Sequence, residues 1–470
     1  MFTASNIHYE VAEKAGAISY GGIGAIHKMV KNLGLIEGID RSLHLLKKHL
    51  PYHESDHVLS LAYNALLGGI RLEDIELRRN DEVFLNALGA QRIPDPTTSG
   101  DFTRRFEEED ILTLMEVFNG IRPYLWKRQS KGFLDEAIID VDGTIARTLG
   151  ECKGGMDISY KGIWGYHPLI VSLANTKEVL YLVNRPANVP SHKGAAVWID
   201  RAIDLVKDHA GKILLRGDTD FSLTANFDRW SKEVDFIFGM DAHPKLVERA
   251  GDLPEASWKE FQRPAKYTVK TKERPKPERV KERIVKERQF KKLRLCSEQV
   301  AEFPYRPLKC SRDYRVVVIR KNISVEKGEH ALFDEIRYFF YITTKKRISA
   351  RKVVLLANQR CDQENVIEQL KNGVNAMRMP VDNLLSNWAY MVMTALAWNL
   401  KAWFALLMRK SPQKDLVLTM EFRRFLHAIV MLPCQIIRTG RKIVFRLLGY
   451  NSWTSVFLTT FERIQRLEVT

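Results

Sequence analysis

Between about residues 20 and 128 the apolar positions recur at the three-to-four spacing of amphipathic helices, in pieces rather than in one run. The stretch "SDHVLSLAYNALLGG" takes Ser55 or Asp56 as its cap and closes on Gly68-Gly69, and "TTSGDFTRRFEEEDILTLMEVFNGI" follows the loop "RIPDP". Arg104 and Arg105 fall near the start of that last element, where a DNA-reading helix carries its cations, although exposed helix arginines commonly do no more than solubilise. The period changes at Phe133. "FLDEAIIDVDGT", "GYHPLIVSLAN" and "VLYLVNRPAN" read as strands, "GAAVWIDRAIDLVKDHA" as a helix, and "KILLRGDTDF" and "VDFIFGMDA" as two more strands. Strands with acids at their ends, interleaved with a helix, predict a mixed α/β sheet whose chemistry sits at its carboxyl edge.

Over residues 244–348 this rhythm stops. Residues 263–294 hold 14 Lys+Arg against 4 Glu, a net of 14 − 4 = +10. Pro264, Pro275 and Pro277 forbid a continuous helix at the start, and "ERVKERIVKERQFKKLRL" reads either as a basic helix or as a solvated strand pair. "YRVVVIRKN" and "IRYFFYITTKK" read as strands, so the whole is taken as a β-rich insertion with a positive surface, against the alternative of a flexible charged loop. "SARKVVLLANQRCDQENVIEQLKNG" then predicts one amphipathic helix capped by Ser349, and residues 374–470 read as helical and basic. In the most apolar segment, "LLSNWAYMVMTALAWNLKAWFALLM", Ser386, Asn387, Asn399 and Lys401 interrupt the run, which predicts a buried helix and no membrane span.

The helix before it carries charge in one stripe. At 100° per residue, Glu364 lies about 40° and Lys371 about 20° round from Arg360, beside an arc of Leu355, Leu356, Val366, Ile367, Leu370 and Val374. Seen alone, such a stripe is most simply a solvated face with i, i+4 pairing.

Length and charge narrow the possibilities. A chain of 470 residues exceeds one growing core, and 45% hydrophobic with 28% charged residues is globular. The pattern divides into a helical region over 1–130, an α/β domain over 131–243, the insertion over 244–348, a helix returning to that domain over 349–376, and a helical region over 377–470. The excess of 73 Lys+Arg over 57 Asp+Glu, +16, suits a polyanionic partner, a property shared with ribosome-associated and membrane-surface proteins. Cys152, Cys296, Cys310, Cys361 and Cys434 show neither C-x-x-C nor finger spacing, which argues against a zinc site or a disulfide framework and for a reducing compartment. "MFTASNIHYEVAEKAG" has no signal-peptide pattern.

Three acids stand at telling places: Asp142 at the end of the first strand, Asp218 at the end of the fourth, and Glu364 on the helix after the insertion. Carboxylates gathered at a sheet edge repel unless a cation offsets them, and Mg2+ with hard oxygen ligands is the usual answer. A pair of such ions activates a nucleophile and stabilises the leaving oxygen of an in-line phosphoryl transfer. Asp140 shadows Asp142 as a second ligand or a buried structural acid, and Asp220 shadows Asp218, more simply as a cap for "LTANFDRW".

In order, "IIDVDGT", "LLRGDTDF" and "NQRCDQENVIEQLKNG" resemble the three catalytic blocks of DDE transposases from bacterial insertion sequences. The closest similarity is to the insertion-sequence 1380 branch, a relative of the cut-and-paste group with a Y-x-x-R-x-x-x-E-x-x-x-x-x-x-K signature. Arg360, Glu364 and Lys371 fit that spacing, whereas Ala357 stands at the tyrosine position. "YKGIWGYHPLIVSL" and "SNWAYMVMTALAWNL" also look like family segments, so the resemblance runs over about residues 133–403. It implies an RNase H-like mixed-sheet catalytic domain with a β-rich insertion before the glutamate helix, matching the 364 − 218 = 146 residue gap. By the same resemblance Asp142, Asp218 and Glu364 hold two Mg2+, with Mn2+ a substitute, and Arg360 and Lys371 hold DNA phosphates. Arg104, Arg105, Lys286, Lys291 and Lys292 are further candidates for DNA contact, and Trp258, Tyr267 and Phe303 are aromatics of the insertion without an assigned role. The expected partners are double-stranded DNA, as element ends and as target, and a second copy of the chain. The expected setting is the bacterial cytoplasm at the nucleoid. Two competing functions are an RNase H-like nuclease or recombinase without strand transfer, and a non-catalytic DNA-binding derivative of a transposase.

Overall fold

The structure, a computed structural model, describes residues 16–467 apart from Leu50, residues 265–277 and Glu329. Tyr267, Pro275, Pro277 and the N-terminal "MFTASNIHYEVAEKA" therefore lie outside the described residues.

A nine-stranded mixed sheet organises the molecule. Its strands are β1 (Glu136–Gly143), β2 (Leu169–Leu173), β3 (Glu178–Val183), β4 (Lys212–Gly217), β5 (Asp235–Met240), β6 (Lys259–Glu260), β7 (Lys291–Tyr305), β8 (Tyr314–Lys327) and β9 (His330–Thr343), in the order β6-β7-β8-β9-β5-β4-β1-β2-β3. β4 is parallel to β1 and β5, and β2 and β3 continue antiparallel on the other side of β1. The mixed α/β sheet expected from the acid-tipped strands is thus present. The insertion is β-rich and extends the same sheet, because β9 pairs antiparallel with β5 from Phe340↔Met240 to Thr343↔Ile237. In β8 the run "VVVI" is buried on both faces: Val316 and Val318 join the main core, while Val317 and Ile319 join a second cluster with Val353 and Val354. "ERVKERIVKERQFKKLRL" resolves into both readings in turn, a helix over Val280–Glu287 and then the start of β7.

Helices cover the sheet. Those needed here are α1 (Glu54–Leu66), α2 (Glu108–Lys127), α3 (Ala195–Lys207), α4 (Ala350–Asn358), α5 (Cys361–Glu368) and α6 (Leu384–Leu407). The cap of α1 is His53, whose backbone N–H donates to Asp56 at 2.9 Å, rather than Ser55 or Asp56 itself. α6 is the most apolar helix and is buried inside the fold from Ser386 to Leu407. It closes the open edge of β3: Asn399 accepts from the Val179 N–H at 2.9 Å and donates to its carbonyl at 3.1 Å, and Trp388 and Trp398 donate to the carbonyls of Leu182 and Lys177. The polar interruptions that argue against a membrane span include, in Asn399, a group that satisfies a strand edge. Glu178, fully buried, accepts from Trp126 of α2 at 2.9 Å and Trp403 of α6 at 2.8 Å and pairs with Arg122 at 3.2 Å, so both helices are pinned to β3 through one carboxylate.

Two expectations need correction. The C-terminal region is not helical throughout: "CQIIRTGRKIVFRLL" forms a hairpin, Cys434–Thr439 with Lys442–Leu447, because two runs rich in β-branched residues flank a two-residue Gly440-Arg441 loop in which Gly440 sits at φ +56°, and its first strand pairs with Gly16–Ile18. The predicted single helix over 349–373 is broken. Ser349 does cap it, accepting from Lys352 N–H at 3.2 Å, but α4 ends at Asn358, α5 starts at Cys361, and Gln369–Gly373 winds as a π turn. The apolar side chains explain the break. Val353 and Val354 bury in the second cluster, Val366, Ile367 and Leu370 in the main core, and no single straight stripe serves both.

Candidate active site

β1 ends at the exposed carboxyl edge of the sheet with two aspartates in different surroundings. Asp140 lies opposite Arg216 of the neighbouring parallel strand, and both are buried. Arg216 donates to it twice, each at 2.7 Å, and to the carbonyl of Leu356 in the last turn of α4 at 2.9 Å. Of the two readings open for Asp140, the structural one holds: its oxygens are taken by a guanidinium that also anchors the end of α4.

Asp142, two residues on, receives its own cation. The Arg360 guanidinium donates to it at 2.9 Å and lies 3.7 Å from Glu364, so it bridges the two carboxylates. Burial pushes the Asp142 carboxyl up to about 6, with the charge of Asp218 adding to the rise and Arg360 opposing it. Asp218 follows β4 directly and caps the short turn Thr219–Phe221, accepting from the Asp220 N–H at 3.1 Å. Its carboxyl is likewise raised by burial, with Arg360 opposing and Asp220 reinforcing. Asp220 therefore does not cap "LTANFDRW", whose helix begins at Thr224 behind Leu223. Burial disfavours the Arg360 charge, yet Asp142, Asp218 and Glu364 together outweigh it and raise its pKa.

The glutamate helix is fixed by its own neighbours. Gln363, buried, donates to the Ile170 carbonyl at 3.2 Å and accepts from the Ser172 hydroxyl, and Asp362 pairs with Lys177 at 2.7 Å. Glu364 itself projects outward, its side chain 61% exposed. Lys371, in the π turn, donates to the Ile145 carbonyl at 3.0 Å, just past the end of β1, and burial lowers its pKa. The helical-wheel argument assumed a straight helix; Arg360 and Lys371 nonetheless return to the same strand end because both contact residues 142–145.

Sequence reasoning missed His167 and Ser191, which form the floor beneath Gly143. His167 Nδ1 lies 2.7 Å from the Val189 carbonyl, which can only accept, so Nδ1 carries the proton and Nε2 faces Ser191 Oγ at 3.5 Å. A Cβ on Gly143 would stand 2.9 Å from His167 Nε2, hence the glycine. The signal was available in "GYHPL", a histidine in an otherwise buried strand start. Also missed were Arg147 and Arg378, which line one groove with Lys153 and Lys371 beside the acids.

The other candidate residues stand elsewhere. Arg104 closes the helix Pro96–Thr103 instead of opening α2, and pairs with Asp101 at 2.6 Å and Asp382 at 3.0 Å; Arg105 donates to the Leu45 carbonyl at 3.3 Å. Lys286 lies on the helix Val280–Glu287, and on β7 Lys292 pairs with Glu326 at 3.1 Å while Lys291 sits 5.8 Å over Phe333. Trp258 and Phe303 are buried, the former under Arg320 at 4.3 Å, so neither is free to stack on a base.

Oxygen-only donors such as these suit a hard divalent cation. Asp142 and Asp218 fit by chemistry and by mutual proximity. Glu364 fits by chemistry alone, because Arg360 lies between it and Asp142; among the described residues no group of three or more His, Cys, Asp or Glu stands close enough to share an ion.

No curated protein matches the chain. Among solved structures it is similar to a piggyBac transposase synaptic complex with hairpin DNA determined by cryo-EM, at 10% identity and a TM-score of 0.35 over 97% of this chain and 88% of that one. A model of the family described as transposase DDE domain, group 1, matches residues 7–469, and on that match the chain belongs to this family of transposases.

Proposed function

We propose that the chain is a cut-and-paste DNA transposase of the insertion-sequence 1380 branch. It binds the terminal inverted repeats of its element as a homodimer, cleaves each end, and joins the freed 3'-hydroxyls to target DNA. The observation that supports this reading is that Arg360 contacts Asp142 at 2.9 Å and lies 3.7 Å from Glu364, while Asp142 and Asp218, from distant stretches of chain, feel each other's charge beside it. The order β3-β2-β1-β4-β5, antiparallel on one side of β1 and parallel on the other, supports an RNase H-like core.

Asp142, Asp218 and Glu364 would hold Mg2+ or Mn2+, two ions, which when bound lower the pKa of a water or 3'-hydroxyl and neutralise the leaving oxygen. The chain's own cations do the positioning. Arg360 clamps a phosphate oxygen through paired donors, and Lys371 with Arg147 and Arg378 lines the groove along which the backbone runs to the acids. Protonated Asp142 is a poor ligand, so a bound cation would have to compete with the proton that burial favours there.

The test is a cleavage and strand-transfer assay on element ends with Mg2+. Glu364→Gln, at a side chain 61% exposed, is expected to leave folding intact and lower cleavage by roughly a hundredfold or more. Unchanged cleavage by that variant overturns the assignment. Joining of pre-cleaved ends by the native chain separates a transposase from a nuclease.

A further inference from the structure

β9 joins the sheet body only over Phe340 to Thr343, where β5 pairs with its outer edge. Over residues 330–339 it has β8 on one side, and among the described residues no strand pairs with the other. Leu332, Phe333, Ile336 and Phe339 are 51%, 54%, 54% and 42% exposed along that edge. Unpaired edges are ordinarily blunted by charged side chains, lysine above all, by proline or by a bulge. This one has a bulge only at its outer end, where Leu332 has no partner in the ladder, and it runs in regular register from Phe333 to Phe339.

We infer that this edge pairs with its counterpart in a second copy of the chain, joining two three-stranded arms into one antiparallel sheet. A two-fold axis normal to the sheet pairs only residues of the same face. With Ile336 on the axis, Glu335 of each copy lies opposite Arg337 of the other, and Phe333 lies opposite Phe339. Moving the axis by one residue, a register slip of two, sets Glu335 against Glu335 or Arg337 against Arg337, so charge selects the register. The charge also selects the class of partner. Asp334 and Glu335 stand on this edge with Arg337, whereas residues 263–294 carry a net of +10, from 14 Lys+Arg and 4 Glu. A mixed apolar and salt-bridging edge suits protein, not a polyanion.

The surface gives the proposed homodimer a place, but the test reads mass alone, on the full chain without DNA, and so stands apart from cleavage. Sedimentation velocity is expected to show a dimer at micromolar concentration. Glu335→Arg and Arg337→Glu should each raise the dimer Kd roughly tenfold or more, since like charges then face each other across the axis. An equimolar mixture of the two variants should regain native affinity, because every arginine then meets a glutamate. Both variants lose the Glu335–Arg337 pair within one chain, 2.8 Å long, so that contact cannot produce the recovery. The inference is overturned by a native chain that stays monomeric or dimerises only on DNA, by variants that dimerise as the native chain does, or by a mixture no tighter than its components.

Discussion

Arg360 donates to Asp142 at 2.9 Å with both side chains mostly buried, and it is the cation shared by Asp142, Asp218 and Glu364. Two carboxylates that feel each other's charge at a desolvated sheet edge need such a partner. In metal-free buffer at pH 8, Arg360→Ala is therefore expected to lose about 1–3 kcal/mol of stability, less than a fully buried broken pair. At pH 5 the loss should shrink, because Asp142, already raised to about 6, takes up a proton. Denaturant unfolding of the variant at both pH values checks this, and an equal loss at each would show that the guanidinium acts by packing alone.

The raised carboxyl of Asp142 also sets a pH slope of its own. Its folded value, about 6, lies above the ordinary 3.8, so the native state binds the extra proton and stability falls as pH rises through that window. A shift of this size corresponds to up to about 3 kcal/mol. Asp142→Asn removes the ionisation. With chelator present, the variant should melt above the native protein at pH 8 and level with it near pH 4. A melting difference that does not change with pH would remove burial as the cause.

The buried Asp140–Arg216 pair carries a different prediction. Asp140→Ala leaves a guanidinium buried without its carboxylate and is expected to destabilise by about 3–5 kcal/mol. It also frees the end of α4, which Arg216 holds through the Leu356 carbonyl. Thermal unfolding reads the loss. Were Asp140 a metal ligand instead, the substitution would weaken Mg2+ binding in a chain of native stability.

How far the sequence foretold the site is best judged on these residues. The acids at strand ends were legible because period-2 strands place their last residues at an edge. The role of Asp140 was not, since only the parallel register of β1 and β4 brings Arg216 opposite it. The helix break at Asn358 was hidden for a related reason: two hydrophobic clusters pull on one amphipathic run, and local periodicity contains no record of which cluster takes which residue. His167 and the groove arginines Arg147 and Arg378 lie on loops and strand starts, where spacing carries little signal. The C-terminal hairpin is the plain miss. Its Gly440-Arg441 loop between two runs of β-branched residues was there to be read between helical stretches.

The groove beside the acids predicts how DNA binding responds to salt. Arg147, Lys153, Lys371 and Arg378 line it, while Lys153 and Lys371 already donate to backbone carbonyls of Val381 and Ile145. The two arginines are therefore the groove cations expected to contact phosphate most directly. On duplex DNA each phosphate neutralised adds roughly 0.9 to the slope of log affinity against log salt. Arg147→Ala and Arg378→Ala should each flatten that slope by about this amount and weaken element ends and unrelated duplex alike, because phosphate contacts carry no sequence information. Titrations across a salt series by fluorescence anisotropy give both numbers. A weakening confined to element ends would assign these arginines to bases, and an unchanged slope would move the backbone path away from the groove, toward the cations of the arm at Lys286 and Lys291.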